Sequence, residues 1–146
     1  MTGDLDGLSA LWHLAVAFAF SLPTAWNRER ANRTAGLRTF PLVSMTSCGF
    51  MLVAIPVLGE HGDHARTIGG IMSGLGFLGG GAILKNEEYA MGLATAAAIW
   101  LTGALGLAVA YNRFDVASIL SVASFLTLYF GDRAKGHFGL PERTDE

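Results

Sequence analysis

Two short polar segments carry the side chains whose types and spacing could do chemistry. The first, residues 59–66, reads GEHGDHAR and places four metal-ligand types within five residues: Glu60, His61, Asp63 and His64. Carboxylate oxygens and imidazole nitrogens are ligands for divalent cations. The segment therefore predicts either a weak divalent-cation site or a solvated loop, because its two glycines leave nothing to orient the ligands.

The second polar segment, residues 27–39, is strongly basic. It holds four arginines and one acid: Arg28, Arg30, Arg33, Arg38 and Glu29. Glu29 is spaced to form an ion pair with Arg33 or with Arg38. Arginines without a partner would attract anionic lipid headgroups by about 1 kcal/mol each. The segment predicts a surface for a protein partner or for lipid, or else a loop that only orients the chain in a membrane.

The sequence lacks the residue patterns of an enzyme site. There is no HExxH, no nucleophile elbow, no phosphate loop after a strand and no carboxylate pair placed to share a substrate. Residues 74–79 fit G-x-G-x-x-G, but they lie in a long apolar run, where the strand and helix of a dinucleotide site are missing. We therefore expect no enzyme activity, no cofactor and no nucleic-acid partner.

The polar segments separate long apolar runs. Of the 146 residues 51% are hydrophobic and only 15% are charged, with a mean hydropathy of +0.42. Five apolar segments follow one another: residues 8–26, 40–58, 68–84, 91–111 and 114–130. At about 1.5 Å per residue, each reaches roughly 25–32 Å and can cross a hydrocarbon core. We predict an all-α, polytopic membrane bundle of five helices over residues 1–130, with a short disordered tail over residues 131–146.

Positive charge predicts the orientation of these helices. With the N-terminus outside, eight basic residues lie on the inner side and two, Arg66 and Arg113, on the outer side. Because inner loops of membrane proteins are enriched in lysine and arginine, the N-out, C-in orientation with an odd number of spans is favoured. A four-span arrangement stays open, since only Asn112, Arg113 and Asp115 interrupt residues 91–130.

The third apolar segment is unusual, because seven of its seventeen residues are glycines. On a helix Gly70, Gly74 and Gly81 fall on one line, with Gly76 and Gly80 on the line beside it. In the fourth segment a second small-residue face is formed by Gly92, Ala96, Gly103 and Gly106. Small residues let membrane helices approach closely. We therefore predict that these two faces pack together, and that leucine at Gly74 or Gly103 would disrupt the contact.

Three motifs, taken in order, resemble the membrane domain of the MgtC/SapB family over residues 8–130. They are NRERANRTAGLRTF at the basic segment, SGLGFLGGGAIL in the third span and MGLATAAAIWLTGALGLAVA in the fourth. The family motif residues that recur here are Glu29, Arg30, Gly36, Leu37, Arg38, Thr39, Gly74, Gly76, Phe77, Leu78, Gly79, Gly81, Gly92, Leu93, Thr95, Ala96, Ala97 and Trp100. Phe40 and Ala94 depart from the family pattern, and we expect a short form of the family without the soluble C-terminal domain of many members.

The resemblance implies a multi-span protein of the bacterial inner membrane. It implies a link to magnesium limitation or virulence, and an action on other membrane machinery, such as an F-type ATP synthase. We therefore expect a regulatory or binding module in the lipid bilayer, which could also form a homo-oligomer.

The alternative is a small passive transporter or channel for an ion such as magnesium. No charged residue or histidine lies in the middle third of a span, which argues against an ion-coupled carrier. A passive path would instead use the small hydroxyl residues Ser44, Ser47, Ser73, Thr95 and Thr102. It would require these five residues to line one water-accessible cavity.

Overall fold

The computed structural model describes residues 7–31, 35–59, 62–85 and 90–137. These residues form five helices: α1 (Gly7–Arg30), α2 (Thr39–Leu58), α3 (His64–Gly81), α4 (Leu93–Ala110) and α5 (Phe114–His137). Two short antiparallel strands, β1 (Leu84–Lys85) and β2 (Ala90–Met91), connect α3 to α4. The predicted all-α bundle is confirmed. Four of its helices, α1, α2, α4 and α5, are long and apolar enough to cross a membrane.

Contacts between the helix ends define the direction of each helix. At one end of the bundle, the last turn of α1 meets the last part of α5 through Arg28 and Asp132. At the other end, His13 near the start of α1 meets Asn112 just before α5. Helices α1 and α5 therefore run parallel to each other. We refer to these two ends as the Arg28 end and the His13 end.

Helix α3 is less apolar than the other four and falls outside the group that satisfies the length and hydropathy of a span. Its seven glycines, together with His64 and Arg66, lower its hydropathy. It nevertheless lies antiparallel along α4, since His64 contacts Tyr111 at one end and Gly79 lies against Ala96 toward the other. Because the two helices run side by side over this length, α3 reaches as far across a bilayer as α4 does.

A turn of three residues separates α4 from α5. Asn112 adopts a left-handed conformation there, with φ of 57°, which asparagine tolerates better than most residues. Residues 91–130 therefore form two helices, and the four-span interpretation that merges them is wrong.

Helix α5 continues to His137, well beyond residue 130, where the sequence predicted its end. Asp132 and Arg133 are thus part of a helix, so the first seven residues of the expected disordered tail are helical. Residues 138–146 of that tail lie outside the described residues.

Helix α4 occupies the centre of the bundle, because it packs against all four other helices. Buried apolar side chains from α1, α2, α4 and α5 form one core cluster near the His13 end, around Met51, Leu105 and Val109. A second cluster lies toward the Arg28 end around Phe40, Leu75 and Ile99. Helix α3 contributes only two buried residues, Leu75 and Gly79, and lies at the edge of the bundle.

Candidate functional site

A partly buried ion pair joins α1 to α5 at the Arg28 end. The Nη2 atom of Arg28 lies 2.8 Å from Oδ2 of Asp132. The Arg28 side chain is 2% exposed, whereas that of Asp132 is 35% exposed. A buried charge is costly unless a partner compensates it. The pair therefore fixes the end of α5 against α1, close to the surface of the bundle.

Between the ion pair and the middle of the helices, hydrogen bonds of serine and threonine hydroxyls also join α1 to α5. The hydroxyls of Thr24 and Ser124 are hydrogen-bonded to each other, and Ser124 also donates to the carbonyl of Ser121. Ser121 in turn donates to the carbonyl of Phe20, 2.6 Å away. Thr24, Ser121 and Ser124 are all buried. In the absence of water, such bonds are the means by which polar side chains hold membrane helices together.

At the His13 end of the bundle, the imidazole of His13 makes the last polar contact between α1 and the turn before α5. Nδ1 of His13 lies 2.7 Å from the carbonyl oxygen of Ser9, and Nε2 lies 3.0 Å from Oδ1 of Asn112. Polar contacts therefore lie along the whole interface between α1 and α5, from the Arg28 end to the His13 end. We name this interface the α1–α5 polar seam, and its members are His13, Asn112, Ser121, Ser124, Thr24, Arg28 and Asp132.

The hydroxyl pair within the seam should contribute a measurable coupling between α1 and α5. We expect Thr24→Val and Ser124→Ala each to destabilise the folded protein, with a coupling of about 1 kcal/mol in a double-mutant cycle. The measurement is denaturant unfolding in detergent micelles. The control is a matched cycle in which Ala123→Ser replaces Ser124→Ala. Residue 123 is exposed, so this cycle should show no coupling to Thr24. Purely additive effects for Thr24 and Ser124 would contradict the hydrogen bond.

The basic segment contains a compact loop closed by Glu29. Its Oε2 atom accepts a hydrogen bond of 2.9 Å from the backbone N–H of Leu37. A Cβ atom at Gly36 would collide with the Glu29 carboxylate, so the loop passes close to this side chain because residue 36 is glycine. Of the two pairings predicted for Glu29, the one with Arg38 is not found among the described residues, where the carboxylate accepts from a backbone amide. Arg33 lies outside the described residues.

Exposed arginines and aromatic rings surround the Arg28 end. The Arg30 guanidinium lies 4.9 Å from the centre of the Trp26 ring, and Arg133 donates a 3.1 Å hydrogen bond to the hydroxyl of Tyr129. Arg38 is exposed at the start of α2. Aromatic rings of this kind sit at the headgroup level of membranes. The sequence-predicted Arg30 and Arg38 thus belong to one basic surface, which Arg133 extends and which we name the basic end.

The candidate metal loop is organised by other interactions. Oδ1 of Asp63 accepts a hydrogen bond from the backbone N–H of Arg66 and caps α3, and its Oδ2 pairs with the Arg66 side chain. The two ring nitrogens of His64 lie 2.9 Å from the Tyr111 hydroxyl and 2.9 Å from the Gly59 carbonyl. Across the described part of the chain, no three metal-ligand side chains come together. Glu60 and His61, the other two predicted ligands, lie outside the described residues.

The five hydroxyl residues considered for a passive ion path lie in different places. Ser44 donates to the carbonyl of Ala17 between α2 and α1, whereas Thr102 donates to Ala98 within its own helix. Ser47 and Thr95 are buried, and Ser73 is exposed on α3. The groove between α2 and α3 is lined by Ser47 but by none of the other four. The α2–α3 groove therefore does not bring these five hydroxyl residues together.

The predicted α4 face does meet α3, but it meets Leu75 and Gly79, which lie outside the predicted glycine face of α3. A Cβ atom at Gly79 would lie 3.4 Å from the backbone oxygen of Ala96, so α3 and α4 do approach closely there. Gly103 faces the side chain of Leu75 on α3. Gly106 faces α2 instead, because an added Cβ would collide with the carbonyl oxygen of Ser44.

The glycines of the predicted α3 face make almost no contact with α4. A Cβ atom would meet nothing within 4 Å at four of them, namely Gly70, Gly74, Gly80 and Gly81. At Gly76 it would only reach Nε1 of Trp100, 4.0 Å away. Gly92 serves a different purpose, since its φ of 84° and its proximity to the Ala82 carbonyl form the turn into α4. We therefore expect substitution of Gly74 to leave the α3–α4 contact intact, which differs from the sequence-based expectation.

The α1–α5 polar seam was not found by sequence reasoning. Its signal is nevertheless present, because Ala117, Ser121 and Ser124 recur at helical spacing on α5 and His13, Ala17, Ser21, Thr24 and Arg28 recur on α1. These residues appear as ordinary small positions until the two helices are paired. Asp132 was predicted to lie in the disordered tail, where it would contact no other helix.

This architecture and these motifs define a class of integral membrane proteins with a compact helical bundle. The MgtC family profile matches residues 14–136. The chain belongs to the MgtC family, as its glycine-rich and basic motifs indicated.

Several known proteins are similar to this chain. Protein SrpB of Synechococcus elongatus is 37% identical over 139 residues, covering 86% of this chain and 75% of SrpB. The putative magnesium transporter YhiD of Escherichia coli K12 is 34% identical over 108 residues, covering 69% of this chain and 50% of YhiD. Protein MgtC of Brucella abortus strain 2308 is 34% identical over 109 residues, covering 75% of this chain and 45% of MgtC. The chain thus spans about half the length of the last two relatives, and no solved structure matches it significantly.

Proposed function

We propose that this chain is a non-enzymatic regulatory or binding module of the bacterial inner membrane that acts on another membrane complex. Its Arg28 end would face the cytoplasm, and magnesium limitation or virulence would be the setting in which it acts. An F-type ATP synthase is the partner suggested by the family resemblance. The basic end would be the surface that contacts the partner or its anionic lipids.

The dispersal of the polar side chains is the observation that carries this proposal. A passive ion path needs polar groups along one water-filled cavity, but Ser44 and Thr102 bond to nearby carbonyls. The polar groups of the α1–α5 seam are likewise bonded to one another. Such bonds stabilise helix packing. They favour a protein that holds a fixed surface over one that conducts ions.

Ion transport is the second candidate, because YhiD is described as a putative magnesium transporter. The distinguishing measurement is flux of magnesium and of protons into liposomes that contain the purified, folded protein. We expect flux equal to that of empty liposomes. Saturable flux that is lost in Ser47→Ala or Thr95→Val would overturn the regulatory proposal and favour transport.

The basic end provides a direct test of the regulatory proposal. We expect Arg30→Ala combined with Arg38→Ala to lower recovery of an F-type ATP synthase with the affinity-purified protein by about tenfold, while its thermal stability stays unchanged. Both side chains are exposed, so their loss should spare the fold. Arg113→Ala is the matched control, since Arg113 is an exposed arginine at the opposite end of the bundle. Equal recovery with all variants would count against a role of the basic end.

A further inference from the structure

An open groove runs between α2 and α3 on the outside of the bundle. Its volume is about 620 Å³, and its lining includes Thr46, Ser47, Phe50, Thr67, Gly70 and Gly74. The lining contains apolar, glycine and hydroxyl residues but no charged residue. Because α2 is a membrane span and α3 runs along the full length of α4, the groove faces the hydrocarbon region.

Glycines form the α3 wall of the groove. A Cβ atom at Gly70 or Gly74 would meet nothing within 4 Å. Packing within this chain therefore gives no reason for glycine at either position, although each glycine costs roughly 1 kcal/mol of helix stability relative to alanine. The benefit of glycine on a membrane helix is that another helix backbone can come close to it.

Hydroxyl groups on the two walls lack partners among the described residues. Ser47 is only 2% exposed and lines the groove, yet it forms no hydrogen bond with a described residue. Thr46 and Thr67 line the groove and likewise lack a described hydrogen-bond partner. A hydroxyl without a partner in an apolar medium is unfavourable, and lipid acyl chains have no group that could bond to it. The groove therefore fits a helix that carries hydrogen-bonding side chains.

We propose that the α2–α3 groove is a self-association surface, in which α3 of a second copy packs against Gly70 and Gly74. All copies insert in the same orientation, so the two α3 helices would run parallel around a two-fold axis along the membrane normal. Gly70 and Gly74 have the G-x-x-x-G spacing that supports parallel helix contacts.

The chemistry of the lining favours a second copy as the occupant. A hydroxyl both donates and accepts hydrogen bonds, so identical hydroxyls on two copies are complementary to each other. An uncharged lining also avoids like-charge repulsion across the two-fold axis. This proposal goes beyond the proposed function and does not depend on which partner or ion the protein serves.

Disulfide formation between copies tests the geometry directly. Cys48 is the single cysteine and is buried, so Cys48→Ala provides a cysteine-free parent. Gly70→Cys and Gly74→Cys in that parent should form a disulfide-linked dimer in oxidised native membranes, because Cα atoms within about 4.4–6.8 Å can be bridged. Ile119→Cys, on the exposed face of α5, is the control for random collision.

A packing variant tests the same surface without cysteine. We expect Gly74→Leu to raise the protein-to-lipid ratio needed for half-dimerisation by about tenfold. The monomer should stay folded, since the added side chain meets open space within the chain. Gly131→Leu is the matched control, because it makes the same change at an open position on α5.

The outcomes separate the three possible occupants. Dimers at residues 70 and 74 above the Ile119→Cys level, and their loss on Gly74→Leu, would support the proposal. Crosslinking at the Ile119→Cys level in folded membrane protein would overturn it and leave lipid in the groove. Disulfides to a different membrane protein, without the self-linked dimer, would also overturn it.

Discussion

Gly106→Ala is expected to lower the free energy of unfolding by about 3 kcal/mol. A Cβ atom at this position would collide with the carbonyl oxygen of Ser44 and would lie 3.1 Å from the backbone nitrogen of Cys48. Both are backbone atoms of α2, so relief requires a shift of the whole helix. Helices α2 and α4 form the largest contact in the bundle. The check is denaturant or thermal unfolding of the purified protein in detergent.

Two further glycines provide graded controls for this substitution. At Gly103 the added carbon would meet the end of the flexible Leu75 side chain, which can move at lower cost. At Gly74 it would meet nothing, so Gly74→Ala should leave the monomer unchanged or stabilise its helix. The expected order of destabilisation is therefore Gly106, then Gly103, then Gly74. An unchanged melting temperature for Gly106→Ala would show that α4 does not lie against α2 at Ser44.

Asp132→Ala is expected to destabilise the protein by about 2–3 kcal/mol. The substitution removes the carboxylate that lies 2.8 Å from the buried Arg28 guanidinium. Removal of one partner from a fully buried pair typically costs more than this. The expected loss is smaller here because Asp132 is 35% exposed, so water can partly replace its carboxylate. Unfolding in detergent would measure the change.

An exposed ion pair, Arg113 with Asp115, offers a matched comparison. Arg113 and Asp115 lie 2.9 Å apart, but both side chains are more than 60% exposed. The side-chain hydrogen bond and the negative charge of Asp115 raise the pKa of Arg113, whose guanidinium is charged at neutral pH in any case. We expect no measurable change for Asp115→Ala, since exposed ion pairs contribute little. Equal effects of Asp115→Ala and Asp132→Ala would contradict a structural role for the partly buried pair.

A double substitution separates the loss of a charge from the loss of packing. Arg28→Met combined with Asp132→Leu replaces the pair with apolar side chains of comparable length. We expect this variant to regain most of the stability lost in Asp132→Ala, because no charge then remains buried. Persistent destabilisation would mean that Arg28 serves the fold mainly through its other contacts.

Helix positions were predictable from local sequence. Apolar runs at residues 8–26, 40–58, 68–84, 91–111 and 114–130 correspond in order to α1 through α5. The errors occurred where local hydropathy is a poor guide. Helix α5 continues past residue 130 because its polar last turns are held by the contact of Asp132 with Arg28. A hydropathy pattern cannot detect that contact.

The candidate site was only partly predictable. The basic segment was recognised from the sequence, and Arg30 and Arg38 are both exposed. The contact of Glu29 with the backbone amide of Leu37 was not predicted, because it depends on how the loop folds back onto the end of α1. The α1–α5 polar seam was missed, since Thr24 and Ser124 are 100 residues apart in sequence.

By itself, the sequence determined the class of the protein, its five helices and its membership of the MgtC family, because hydropathy and glycine-rich motifs are properties of neighbouring residues. Only the tertiary structure decided which helix faces meet. In that structure Gly106 faces α2, a Cβ atom at Gly74 would meet nothing within 4 Å, and Arg28 pairs with Asp132. The physical reason is that a small residue has no preferred partner of its own. Its neighbour is determined by the registers of all five helices together.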